Sequence, residues 1–139
     1  MTIIESVKAF VETCPIISEL ALVNVEHLDA EPDSFSIEPV PTDPVIKQYL
    51  NGSSYRQFVF VVSSREYYGP DVLQQLENSN FYERFAQWLD ECNRNKQFPA
   101  LSGKQQAVSI RAINWGYAFQ TDIDSAQYQI QCRLEYLQK

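Results

Sequence analysis

The chain has 139 residues, 45% of them hydrophobic and 13% aromatic. That is enough to bury one sizeable core and too apolar for a disordered segment. The formal net charge of −7, with four glycines and seven prolines, argues against a free-standing nucleic-acid binder, which carries a basic patch, and against a low-complexity or collagen-like chain.

A single domain over residues 1–139 is expected from this length. No apolar run approaches the roughly 18 residues that a membrane span requires. The opening MTIIESVKAF has acidic Glu5 early and no basic stretch leading an apolar one, so no signal peptide is expected. Cys14, Cys92 and Cys132 sit far apart within apolar patterns. They read as buried, reduced thiols, and no pair has zinc-ligand spacing.

Ile3, Ile4, Val7, Phe10 and Val11 fall at helical spacing behind Thr2, a good N-cap residue. They predict a helix from Thr2 to Cys14, stopped by Pro15. Leu20 to Leu28 (LALVNVEHL) reads as a strand, Asp29 to Asp33 as a turn, and Ser34 to Val40 as a second strand. Together they predict a hairpin. The stretch from Pro39 to Ser54 (PVPTDPVIKQYLNGSS) holds three prolines in its first six residues. Proline donates nothing to a strand ladder, so a long loop is expected here. Val45, Ile46, Tyr49 and Leu50 give that loop an apolar edge. It reads either as an interaction loop that orders against a partner or as a passive excursion.

Tyr55 to Glu66 is the strongest strand pattern, and Phe58 to Val62 are apolar on both faces, as in a central strand. Tyr67-Tyr68-Gly69-Pro70 breaks it. A helical pattern then runs from Asp71 to Asn95, with a kink expected near Ser79-Asn80, where Asn80 and Glu83 have capping-box spacing. Phe81, Phe85, Trp88, Leu89 and Cys92 form its expected core stripe. Gln105 to Gln120 reads as strand, with Val108, Ile110 and Ala112 turned inward and Gly116 at a bulge or close approach. The polar loop Thr121 to Ser125 makes a hairpin into Ala126 to Lys139 (AQYQIQCRLEYLQK). There Tyr128, Ile130, Cys132, Leu134 and Tyr136 alternate with polar residues without a break. The element order predicts an α+β fold: a mostly antiparallel sheet of about five strands with helices packed on one face.

The sequence supplies little chemistry. His27 is the only histidine and has no serine, cysteine or carboxylate partner at a suggestive spacing, so it reads as a surface residue. No phosphate-binding glycine loop, dinucleotide motif or zinc-protease motif occurs. No catalytic residue, cofactor site or metal site is expected. Asp122 and Asp124 share a tight loop but lack the glycine and glutamate of a calcium loop. Tyr67, Tyr68 and Trp115 are candidates for an interface, although Tyr67 and Tyr68 suit strand-end packing equally. Arg56, Arg65, Arg111 and Arg133 occupy polar strand positions. They form either a solvated face or a flat sheet face that meets a neighbouring subunit, with Arg111 and Arg133 the interface candidates.

The runs FYERFAQWLDECNRNKQFPAL, AINWGYAF and AQYQIQCRLEYLQK resemble a family of small proteins from the structural modules of long-tailed phages and prophages of Gram-positive bacteria. These are called minor capsid proteins and are similar to tail terminators, or head–tail joining proteins. The resemblance covers the last half of the chain and extends to the first half only through element order. It implies a non-enzymatic structural protein of the virion, present in the host cytoplasm during assembly and needing no cofactor. It further implies a homo-oligomeric ring, typically of six subunits, at the head-proximal end of the tail. Such a ring ends growth of the tail tube, meets the tail-tube and head-connector proteins, and lets DNA pass without specific binding. An acidic subunit suits that conduit, since bound phosphates would slow the DNA. The resemblance also implies that the loop Pro39 to Ser54 orders on assembly. The rival reading is a small, non-enzymatic monomeric regulatory or inhibitor module. Neither reading involves a membrane.

Overall fold

A computed structural model of the chain describes residues 2–15, 23–25, 34–67, 72–114, 117–121 and 125–139. The first helix, α1 (Ile3–Val11), starts where the sequence predicts. The Thr2 side chain accepts the Glu5 N–H at 3.3 Å, and its hydroxyl donates to the Glu5 carboxylate at 3.0 Å. One otherwise orphaned helix donor is thereby satisfied. Val7, Phe10 and Val11 are buried on one side of this helix.

The strands follow as β1 (Val23–Val25), β2 (Ser34–Pro39), β3 (Val45–Gln48) and β4 (Ser54–Tyr67). Helix α2 (Val72–Arg94) comes next, then β5 (Gln105–Ala112), β6 (Tyr117–Thr121) and β7 (Ser125–Gln138). The main path of the sheet is β1-β2-β4-β7-β5, with β3 added beside β4 and β6 beside β7. Every pairing is antiparallel except β1 with β2. The fold is therefore α+β with a mostly antiparallel sheet. Five strands make its spine, and two short ones extend it. Strands β4 and β7 pair along their whole lengths, from Ser54 opposite Gln138 to Tyr67 opposite Ser125.

The register sorts side chains by face. Ile37, Phe60, Val62, Ile110, Ile130, Cys132, Leu134 and Tyr136 lie on the inner face and are buried. They share one core with Val7, Phe10 and Val11 of α1 and with Tyr82, Phe85, Leu89 and Cys92 of α2. The apolar side of β7 from Ile130 to Tyr136 meets the helices as its alternation requires. Among the described residues, no helix is long and apolar enough to cross a membrane.

Five expectations are corrected. Strands β1 and β2 run parallel, with Val23 opposite Phe35, so they form no hairpin. Alternation specifies which face is buried and is silent on strand direction. Helix α2 runs unbroken through Ser79-Asn80 for 23 residues. Serine and asparagine each cost less than about 1 kcal/mol in a helix interior, too little to break a helix held by packing. Its buried stripe is Tyr82, Phe85, Leu89 and Cys92, while Trp88 sits half-buried at the margin and the Phe81 side chain lies outside the described residues. The Trp88 ring stands 5.1 Å from Phe10 and 5.9 Å from Phe85, joining the two helices.

The expected strand from Gln105 to Gln120 is divided into β5 and β6, both paired with β7. The register shifts between Ala107 and Ser109, which leaves Val108 42% exposed while Ile110 is fully buried. A bulge of this kind turns one side chain out of the alternation. The break after β5 stays attached to β7: Ile113 N–H donates to the Gln131 carbonyl at 2.9 Å, and Gln131 N–H donates to Asn114 Oδ1 at 3.0 Å. The fifth correction, at β3, concerns the candidate site.

Candidate functional site

The outer face of the sheet carries a polar patch where β4, β7 and β5 lie side by side. Register places Val59, Arg133 and Arg111 in one row, and Gln57, Glu135 and Ser109 in the next. The same face is buried toward Ser36 and Ser63, and it opens toward Tyr55, Arg133 and Arg111. No described helix packs on it.

Glu135 is the centre of this patch. Its carboxylate accepts the Tyr55 hydroxyl across the β4–β7 pair, and the Ser109 hydroxyl lies 3.4 Å from the same Oε2. Arg133 Nε stands 3.4 Å from Glu135 Oε1. That contact is an ion pair without hydrogen-bond geometry, because Arg133 Nε makes no hydrogen bond among the described residues. Partial burial first, and then the hydrogen bond and charge of Glu135, push the Tyr55 hydroxyl up to about 12. Arg111 and Arg133 stand directly opposite each other on neighbouring strands. Like charges in that position repel. Glu135 offsets Arg133, and the exposed Arg111 is close enough for its charge to act on the Tyr55 hydroxyl.

Val45, Ile46, Tyr49 and Leu50 belong to a second surface. The expected loop is in part a strand: β3 pairs antiparallel with β4, Val45 opposite Arg56 and Gln48 opposite Ser54. Pro39, Pro41 and Pro44 all precede β3, so the strand loses no ladder donor. The Pro44 carbonyl even accepts Gln57 N–H at 2.9 Å. Tyr49 N–H donates to the Ser53 carbonyl at 2.9 Å and closes the turn, in which Gly52 takes φ 93°. That left-handed value suits glycine. Asn51 Oδ1 accepts from the Ser53 N–H and hydroxyl and fixes the tip. The apolar side chains are left outside. Leu50 is fully exposed, Ile46 is 46% exposed and Tyr49 37%. Lys47 lies over the Tyr49 ring at 5.6 Å.

The other candidates divide as follows. Arg56 lies on the inner side of the sheet, opposite Tyr136, and its Nε donates to Ser54 Oγ at 2.8 Å; it does not join Arg111 and Arg133. Tyr67 closes β4 opposite Ser125, and its side chain, like that of Arg65, lies outside the described residues. Tyr68, Trp115, His27, Asp122 and Asp124 also lie outside them. Cys14, Cys92 and Cys132 are all buried. Burial pushes the Cys92 and Cys132 thiols up, the opposite of what a nucleophile needs. Among the described residues no group of three potential metal ligands converges. Tyr55, Ser109 and Glu135 escape a reading of the sequence, because only the strand register brings them to Arg133. The sequence matches no family model, and no curated protein matches it.

Proposed function

We propose that the chain is a structural, non-enzymatic assembly protein of a phage or prophage, resembling tail terminators. In that role it forms a ring at the head-proximal end of the tail, ends tube growth and joins tail to head. It acts in the host cytoplasm during assembly and remains in the virion. Its partners are further copies of itself, the tail-tube protein and the connector. The sequence resemblance suggests the family, and the α+β architecture agrees with it.

One observation carries the reading. The described core cluster lies on the inner sheet face, yet the β3–β4 hairpin holds Ile46, Tyr49 and Leu50 out to solvent on a turn fixed by its own hydrogen bonds. Exposed apolar side chains on an ordered hairpin suit burial against a protein partner. The test is polymerisation of the tail-tube protein with and without this chain. Electron microscopy is expected to show tubes of limited length with density at one end only. Tubes of unchanged length and bare ends would overturn the reading. A turnover on any acyl or phosphoryl substrate, lost in His27→Ala, would overturn its non-enzymatic part.

A further inference from the structure

The Arg111–Arg133 pair has a counterpart on the same chain. Glu83, Ala86, Gln87 and Asp90 lie at i, i+3, i+4 and i+7 on α2, so they form one stripe along the helix. That stripe and the end of β5 at Ala112 and Ile113 border a groove of about 330 Å³. One water occupies roughly 30 Å³ in the liquid, so the groove has room for side chains. Glu83 and Asp90 are exposed and enter no ion pair among the described residues. Ile113, also in the groove wall, is 42% exposed. Two unpaired carboxylates beside an apolar wall suit an arginine, whose stem packs on apolar surface while its head meets the charge.

We infer that copies of the chain join head to tail, with Arg111 and Arg133 on the outer sheet face of one subunit entering the Glu83–Asp90 groove between α2 and β5 of the next. Charge selects the occupant. A chain of net charge −7 repels its own copies unless a positive surface is set against a negative one. The outer face supplies the exposed Arg111 guanidinium beside Arg133, whose charge Glu135 partly offsets, and the α2 groove supplies two carboxylates. The two surfaces are distinct: one is the exposed part of the outer sheet face around Arg111, the other the groove between α2 and the residues that end β5. A contact between them is heterologous, and repetition of such a contact closes a ring or extends a filament. This contact rests on the assembly reading above and specifies which surfaces make it.

Reciprocal charge reversal tests it. One variant carries Arg111→Glu and Arg133→Glu, the other Glu83→Arg and Asp90→Arg. Each alone is expected to be monomeric by native mass spectrometry at concentrations where the unaltered chain is assembled. An equimolar mixture is expected to assemble again, with the two variants alternating. Arg111→Glu by itself, at an exposed site, is expected to weaken assembly while circular dichroism shows an unchanged fold. It serves where reversal of the half-buried Arg133 beside Glu135 disturbs the sheet. Rings that form from either double variant alone, or a mixture that stays apart, would overturn the contact and leave the assembly reading standing. An unaltered chain that is monomeric at every concentration would overturn both.

Discussion

The carboxamide of Asn93, on α2, holds both backbone groups of Ile110 on β5. Its Nδ2 donates to the Ile110 carbonyl at 2.6 Å, and its Oδ1 accepts the Ile110 N–H at 2.8 Å. Strand β5 stands at the end of the sheet path, so among the described residues its outer backbone groups face no neighbouring strand. Asn93 takes the place of that strand at one residue, ties the helix to the sheet edge and blunts the edge against other chains. Asn93→Ala leaves a half-buried donor and acceptor unpaired. It is expected to cost about 1–3 kcal/mol in chemical denaturation. A loss near zero would mean that water replaces the side chain without penalty.

Burial ranks two neighbouring residues on α2. Leu89 is fully buried and Trp88 packs at the margin between the helices. Leu89→Ala is expected to cost about 2–5 kcal/mol. Trp88→Ala should cost less than the roughly 3–5 kcal/mol typical of a fully buried aromatic, because part of its surface already faces water. Equilibrium unfolding of the two variants checks the order, and a larger loss for Trp88 would contradict it.

Most of the packing was legible in the sequence, and most of the pairing was not. The unbroken alternation from Tyr128 to Tyr136 specifies a half-buried strand, and Thr2 with Glu5 specifies the start of α1. Phe58 to Val62, apolar on both faces, point to a central strand, and β4 lies between β2 and β7. These features are local, with periods of 2 and 3.6 residues. The parallel direction of β1, the bulge at Val108 and the position of β3 beside β4 depend on which strand lies next to which. Those choices are made by contacts distant in sequence. The Tyr55–Glu135–Ser109 cluster is of the same kind, for its members meet only through the register of three strands. Pro39, Pro41 and Pro44 favour a loop at the start of the Pro39–Ser54 stretch, but none lies within Val45–Gln48, which is free to pair.

Burial of the Tyr55 hydroxyl, together with its hydrogen bond to Glu135, makes stability depend on alkaline pH. The folded state raises the Tyr55 hydroxyl from its ordinary 10.0 to about 12. The buried, hydrogen-bonded neutral hydroxyl therefore contributes fully below pH 10.0, and that contribution is lost as pH rises toward 12. Tyr55→Phe removes the hydroxyl and with it this dependence. The stability difference between the unaltered chain and Tyr55→Phe is expected to narrow over that range, and spectroscopic titration should lose a late tyrosinate component. A difference independent of pH would show that the hydroxyl meets solvent instead of Glu135.

Leu50 separates binding from folding. Its side chain is fully exposed at the hairpin tip, so Leu50→Ser is expected to change stability by no more than about 0.5 kcal/mol. The same substitution is expected to weaken association with further subunits or with the tube end, read by sedimentation. Unchanged association would reduce the β3–β4 hairpin to a connection between strands.

The central claim is that this subunit assembles, and its mass in solution tests that most directly. Native mass spectrometry of the purified chain, alone and with tail-tube protein, is predicted to give a closed ring of identical subunits that also occupies tube ends. A particle of 16.1 kDa at every concentration, unchanged by the tube protein, would contradict the account and leave a small monomeric module in its place.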